Sequence, residues 1–101
     1  MITKDSFINY FKSGIKDTND CGVGIEHEKF VFSKDKRADY KSILNLFEKL
    51  YEFGWEPVKE NANIISLRKG KKNITLEPGN QIELSGEKLK NIHQTCAESQ
   101  E

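Results

Sequence analysis

Gly24-Ile25-Glu26-His27-Glu28-Lys29-Phe30 and Thr75-Leu76-Glu77-Pro78-Gly79-Asn80-Gln81-Ile82-Glu83-Leu84-Ser85-Gly86 decide the fold. Both read as β-strands, in which side chains two residues apart share a face. Glu26 and Glu28 therefore project together, as do Thr75 with Glu77, and Gln81 with Glu83 and Ser85. Ile74, Leu76, Ile82 and Leu84 point the other way. In one antiparallel sheet, four carboxylates share a surface whose reverse is apolar. Like charges held close repel unless a cation neutralises them. An all-oxygen donor set suits a hard divalent ion, Mg²⁺ or Mn²⁺. Glu26, Glu28, Glu77 and Glu83 are thus the expected metal ligands. Thr75, Gln81 and Ser85 lie on the same face, in reach of a bound substrate.

Working outward, Thr3 predicts the cap of a first helix with Phe7, Ile8, Phe11 and Ile15 on one side, broken at Gly14 and the polar run 16–20. The first strand is expected over 22–32, followed by a polar loop over 33–37. Asp39 predicts the cap of a second helix with an apolar stripe of Ile43, Leu44, Phe47, Leu50 and Tyr51. Gly54 suits the left-handed position that follows it. Short strands are then expected at 55–59, 62–68, 73–77 and 81–85, with turns at 70–72 and 78–80. A last helix is predicted over 87–97, with Leu89, Ile92, Cys96 and Ala97 inward. The order α-β-α-β-β-β-β-α predicts an α+β fold, an antiparallel sheet with helices on one face.

The 101 residues suffice for one small domain. Sixteen basic and sixteen acidic residues cancel, and no basic stripe interleaved with aromatics suggests a nucleic-acid partner. No apolar run approaches the roughly 18 residues of a membrane span. The start of the chain lacks a basic-then-apolar leader, and two cysteines, Cys21 and Cys96, make no disulfide framework. A cytoplasmic location with reduced thiols is the expectation. The last helix ends without a cap or a return strand, and nothing covers the carboxylate face, so a segment of a longer protein is expected.

Other site chemistries fit poorly. His27 shares the parity of Ile25, which favours the packed face over a ligand role, and His93 adjoins Ile92. A zinc site from Cys21, His27, His93 and Cys96 lacks the close paired spacing of such sites. His27-Glu28 meets Val31 where a zincin needs a second histidine. Gly22-Val23-Gly24 lacks the third glycine of a dinucleotide fingerprint, and Gly70-Lys71-Lys72-Asn73 lacks the first glycine and the hydroxyl of a phosphate loop. Neither Ser85 nor Cys96 has a base at identifiable spacing.

The residues also carry a family likeness. Gly24-Ile25-Glu26-His27-Glu28-Lys29-Phe30 resembles the first signature of glutamate–cysteine ligases of the plant and proteobacterial type. The likeness continues through Gly54-Trp55-Glu56-Pro57, Asn63-Ile64-Ile65, Ile74-Thr75-Leu76-Glu77-Pro78-Gly79, Gln81-Ile82-Glu83-Leu84-Ser85-Gly86 and His93-Gln94-Thr95-Cys96-Ala97-Glu98. Val31, Ser66 and Asn80 stand where that family commonly has glycine, and Ile82 where it has phenylalanine.

The resemblance implies the N-terminal segment, roughly the first quarter, of a glutamine-synthetase-like carboxylate–amine ligase. Its substrates would be glutamate, cysteine and ATP, its metal Mg²⁺ or Mn²⁺, and its product γ-glutamylcysteine, the first step of glutathione synthesis. Glu26, Glu28, Glu77 and Glu83 would hold the metal, and the remainder of the ligase chain would complete the site. Two alternatives stay open: a non-catalytic truncated fragment or small divalent-metal-binding domain, and an ordinary α+β domain whose acids face solvent.

Overall fold

Asp39 opens the helix on which the fold is built. In the computed structural model, which describes residues 1–101, its carboxylate accepts from the Ser42 backbone at 2.8 Å and from the Ser42 hydroxyl at 2.7 Å. These bonds satisfy an orphan donor of the first turn of α2 (Tyr40–Leu50) and hold the Asp39 carboxyl below its ordinary value of 3.8. Ile43 and Phe47, one turn apart, are completely buried against Leu67, Ile74 and Ala38. Gly54, at φ +83°, ends the short turn 51–53 that follows the helix.

The sheet that α2 packs against has five antiparallel strands in the order β1-β7-β6-β5-β4. These are β1 (Glu26–Phe30), β4 (Glu56–Glu60), β5 (Asn63–Lys69), β6 (Lys72–Glu77) and β7 (Gln81–Ser85); a separate hairpin pairs β2 (Phe32–Ser33) with β3 (Lys36–Arg37). Strands β4 to β7 run as a meander joined by tight turns at 61–62, 70–71 and 78–80. Asn61, Ala62, Gly70, Gly79 and Asn80 all take positive φ there. The expected α+β class and antiparallel sheet are therefore present, with α2 on the apolar side.

Three expectations about the elements need correction. The first strand is shorter than 22–32: it starts at Glu26, and Val23 instead makes an isolated bridge to Leu89. The polar loop 33–37 is a small hairpin turning at Lys34, whose φ is +56°. The last helix, α3 (Ile92–Glu98), begins five residues later than predicted, at the Asn91 cap. Residues 87–90 are drawn into extended contact with residue 23, through Val23 N–H to Leu89 O at 2.7 Å and Leu89 N–H to Val23 O at 2.8 Å. On α3 it is Thr95 that is buried, while Ile92 and Cys96 are exposed.

The first helix, α1 (Lys4–Ser13), has the predicted Thr3 cap, completed by Ser6 into a capping box. Its apolar stripe is not covered: Phe7, Ile8, Phe11 and Ile15 are all exposed. Only six residues of the whole chain are fully buried, so the core is confined to the contact between α2 and the middle of the sheet. No helix is long and apolar enough to cross a membrane.

Candidate functional site

Pairing fixes which side chains meet on the polar face. Glu26 pairs with Ser85, Ser85 with Asn73, Asn73 with Arg68, and Arg68 with Glu56, giving one row across all five strands. The next row is Glu28, Glu83, Thr75, Ser66 and Val58, and the third contains Phe30, Gln81 and Glu77. Every expected site residue thus lies on the predicted face. Among the four glutamates only Glu28 and Glu83 are direct cross-strand partners. Glu26 and Glu77 stand at opposite corners of this array.

Hydroxyls brace two of the four carboxylates. Thr75 Oγ1 donates to Glu77 Oε1 at 2.7 Å, and Ser85 Oγ donates to Glu83 Oε1 at 3.1 Å. In each pair the donor lies two residues away on the same strand, so it engages one oxygen and leaves the other for a further partner. Gln81 turns its amide to Pro78 O at 3.2 Å. Glu77 and Glu83 are half-buried, whereas Glu26 and Glu28 are exposed.

The far end of the face is closed by Arg37. Its guanidinium lies 4.3 Å from the centre of the Phe30 ring and 5.9 Å from that of Phe32, and it donates to the Gly79 carbonyl. Arg37 thereby ties the small hairpin to the turn that follows Glu77. Asn80 contributes to the same tie through a bond to Ala38 O at 3.2 Å.

The donor chemistry fits a hard cation. No three His, Cys, Asp or Glu side chains are gathered closely enough to enclose an ion by themselves. Mg²⁺ does not require such a cage, because it is commonly held by one or two carboxylates with water and substrate phosphates completing the shell. Glu28 and Glu83, opposite one another and with oxygens to spare, meet that requirement.

Four polar residues of this face are absent from the sequence-based site: Glu56, Arg68, Asn73 and Ser66. Arg68 and Glu56 sit in its first row, and a signal for Arg68 exists: it follows Ser66 by two in an alternating strand. A cleft of about 340 Å³ lies on the opposite side of the sheet, with Leu50, Trp55 and Leu84 in its wall. There Lys72 lies 2.6 Å from Glu101 and 3.8 Å from Glu98. The bond to Glu101 raises Lys72 above its ordinary 10.5, and Lys72 in turn lowers Glu101 below 4.5. Glu98 accepts from the Glu87 backbone at 2.9 Å and so pins the end of α3 to the strand exit.

An antiparallel sheet with braced carboxylates on one side and a helix on the other defines an acid-faced α+β scaffold. Residues 22–101 match the model of Glutamate-cysteine ligase family 2 (GCS2), and the chain belongs to that family. Over 100 residues it is 45% identical to the chloroplastic glutamate–cysteine ligase of Nicotiana tabacum, 44% to that of Arabidopsis thaliana and 43% to glutamate–cysteine ligase A, chloroplastic, of Oryza sativa subsp. japonica. Each match takes in 96% of this chain but only 19–20% of the relative. The chain spans about a fifth of the length of these ligases.

The names of these relatives overturn the cytoplasmic expectation, since all three are chloroplastic proteins. The two cysteines and the missing disulfide framework argue only for a reducing compartment. They do not distinguish one such compartment from another.

Proposed function

We propose that this chain supplies the metal-binding carboxylate sheet of a glutamate–cysteine ligase. The reaction is the ATP-dependent joining of the γ-carboxylate of L-glutamate to the amine of L-cysteine, giving γ-glutamylcysteine, the first step of glutathione biosynthesis. The sheet is read as the N-terminal part of a glutamine-synthetase-like catalytic domain, residues 1–101, with the remaining polypeptide completing the site. The observation that carries this is the direct pairing of Glu28 with Glu83 in a chain that matches the ligase family over residues 22–101.

When bound, Mg²⁺ or Mn²⁺ would offset the charge of ATP phosphates and of the glutamate carboxylate during phosphoryl transfer. Glu28 and Glu83 would hold one ion between them, and Glu26 and Glu77, at opposite corners of the array, would be ligands to further ions shared with the substrate phosphates. Thr75 and Ser85 orient Glu77 and Glu83, each fixing one carboxylate oxygen so that the other faces outward. Gln81, between Phe30 and Glu77 in the third row, offers a neutral amide to the substrate.

Phosphoryl transfer also needs the nucleotide clamped in line with its acceptor, and a fifth of the ligase length supports a narrower reading for the isolated chain. By itself it binds the metal without forming ADP.

The test is to place residues 22–98 in the matching segment of the complete tobacco ligase and change each of the four glutamates to Gln. Formation of γ-glutamylcysteine should fall at least a hundredfold at limiting Mg²⁺ for Glu28→Gln and Glu83→Gln. Full activity of both variants at limiting Mg²⁺ would sink the metal assignment.

A further inference from the structure

The carboxylate face carries a cation that metal binding leaves without a task. Arg68 stands in the first row between Glu56 on β4 and Asn73 on β6, with Ser85 and Glu26 beyond on the same line. It is exposed. The chain has two ion pairs, both made by Lys72, so Arg68 is not neutralised even by Glu56, its direct cross-strand partner. Its side chain makes no hydrogen bond to another side chain or to a carbonyl, whereas Arg37 at the other end of the face is fixed by Gly79 and two aromatic rings.

Resting on the metal reading above, we propose that Arg68 binds the phosphate chain of the nucleotide, at the end away from the metal carboxylates. Arg68 and Glu83 are two strands and one row apart, which ordinary sheet spacings make about 12 Å between Cα atoms. A direct pair is not formed across that gap. A chain of two or three phosphates has the length to meet a cation on Glu83 and Glu28 and a guanidinium on Arg68 together; a single carboxylate has not. Arginine also suits the task, being always charged and presenting a planar fork that engages phosphate oxygens two at a time. Asn73 and Ser85, in the same row, add neutral donors beside it. A polyanion approaching five carboxylates is repelled unless each end meets positive charge, and Arg68 provides it where no metal ligand pair exists.

The experiment measures Mn²⁺ affinity of the 101-residue chain by electron paramagnetic resonance, alone and with ATP, inorganic triphosphate or glutamate. Circular dichroism checks each variant. Arg68→Ala should weaken Mn²⁺·ATP and Mn²⁺·triphosphate about tenfold, the scale of one charge-assisted bond. Affinity for Mn²⁺ alone should hold or tighten, because a repelling cation has gone. Arg68→Lys should recover most of the loss, and glutamate should distinguish none of the variants.

Equal loss of Mn²⁺ and Mn²⁺·ATP binding in Arg68→Ala would mean a structural role and overturn the proposal. So would Mn²⁺·ATP binding that ignores the substitution, or a loss seen with glutamate only. In those outcomes Mn²⁺ binding that depends on Glu28 leaves the metal reading standing. Absence of Mn²⁺ binding in the unaltered, folded chain would remove that reading and this one together.

Discussion

Glu28 and Glu83 face one another directly across the β1–β7 pairing, two acids where a sheet ordinarily places opposite charges or none. Like charges so placed destabilise an antiparallel pair. Glu28→Gln should therefore stabilise the metal-free chain by a few tenths of a kcal/mol, on the scale of cross-strand pairs, and weaken Mn²⁺ at least tenfold. Thermal unfolding with and without Mn²⁺ reads both effects. A solvated face without metal predicts the first effect and no change in Mn²⁺ affinity.

The core should be intolerant of truncation. Phe47 and Leu67 are wholly buried in a cluster of five apolar residues. Substitutions of this kind typically cost about 3–5 kcal/mol for Phe→Ala and about 2–5 for Leu→Ala, comparable to the whole stability of a small domain. Urea unfolding should show Phe47→Ala largely unfolded before denaturant is added. Phe7→Ala on the uncovered α1 should leave the midpoint unchanged.

Asp39 makes helix α2 sensitive to acid. Its carboxyl is lowered by the two bonds to Ser42 and, more weakly, by Lys41. A lowered folded value contributes stability that is complete above the unfolded value near 3.8 and is lost as pH falls through the folded one. Asp39→Ala should thus lower the urea midpoint at pH 7, and the gap from the unaltered chain should close as the pH drops below about 3.8. A gap that persists at pH 2 would show that the cap works without its charge.

Gly22 and Gly24 should respond differently to the same change. A Cβ at Gly22 would lie 2.6 Å from Lys88 Cγ and 2.7 Å from Leu89 O, and the second of these atoms is backbone that cannot swing away. At Gly24 the nearest atom is 3.6 Å distant, an ordinary contact. Gly22→Ala should open the Val23–Leu89 bridge, seen as faster amide hydrogen exchange at Leu89, while Gly24→Ala leaves it protected. Equal protection in both would contradict the packing of residues 22 and 88–89.

Alternation makes most of the carboxylate face legible in the sequence. Parity alone puts Glu26, Glu28, Glu77 and Glu83 on one side, because strand geometry leaves a side chain only two directions. Arg68 shares the parity of Ser66, so its face is legible, but its neighbours there, Glu56 and Asn73, come from other strands, and pairing register is not written in any one of them. The irregularity between Val58 and Lys59 is equally hidden. By strict alternation with Leu67, Ile65 should face the core, yet the shifted register puts Ile64 there instead.

Residues 87–91 are illegible for a different reason. Their pattern suits a helix, but a partner 66 residues earlier, Val23, bridges Leu89 and delays the helix to Ile92. Such competition is tertiary and leaves no local mark. The likeness to ligases supplies the chemistry that spacing cannot.

The sheet is open at both sides, with β1 and β4 as its outer strands. Unpaired strand edges invite a second chain to add on, and natural proteins guard them with charge and proline. Here β4 carries Glu56, Pro57, Lys59 and Glu60, and β1 reads Glu26-His27-Glu28-Lys29. The acids of β1 are therefore sentries against fibrillar stacking. Any change that silences them, by amide substitution or by a tightly held cation, also lowers the barrier to self-association along that border.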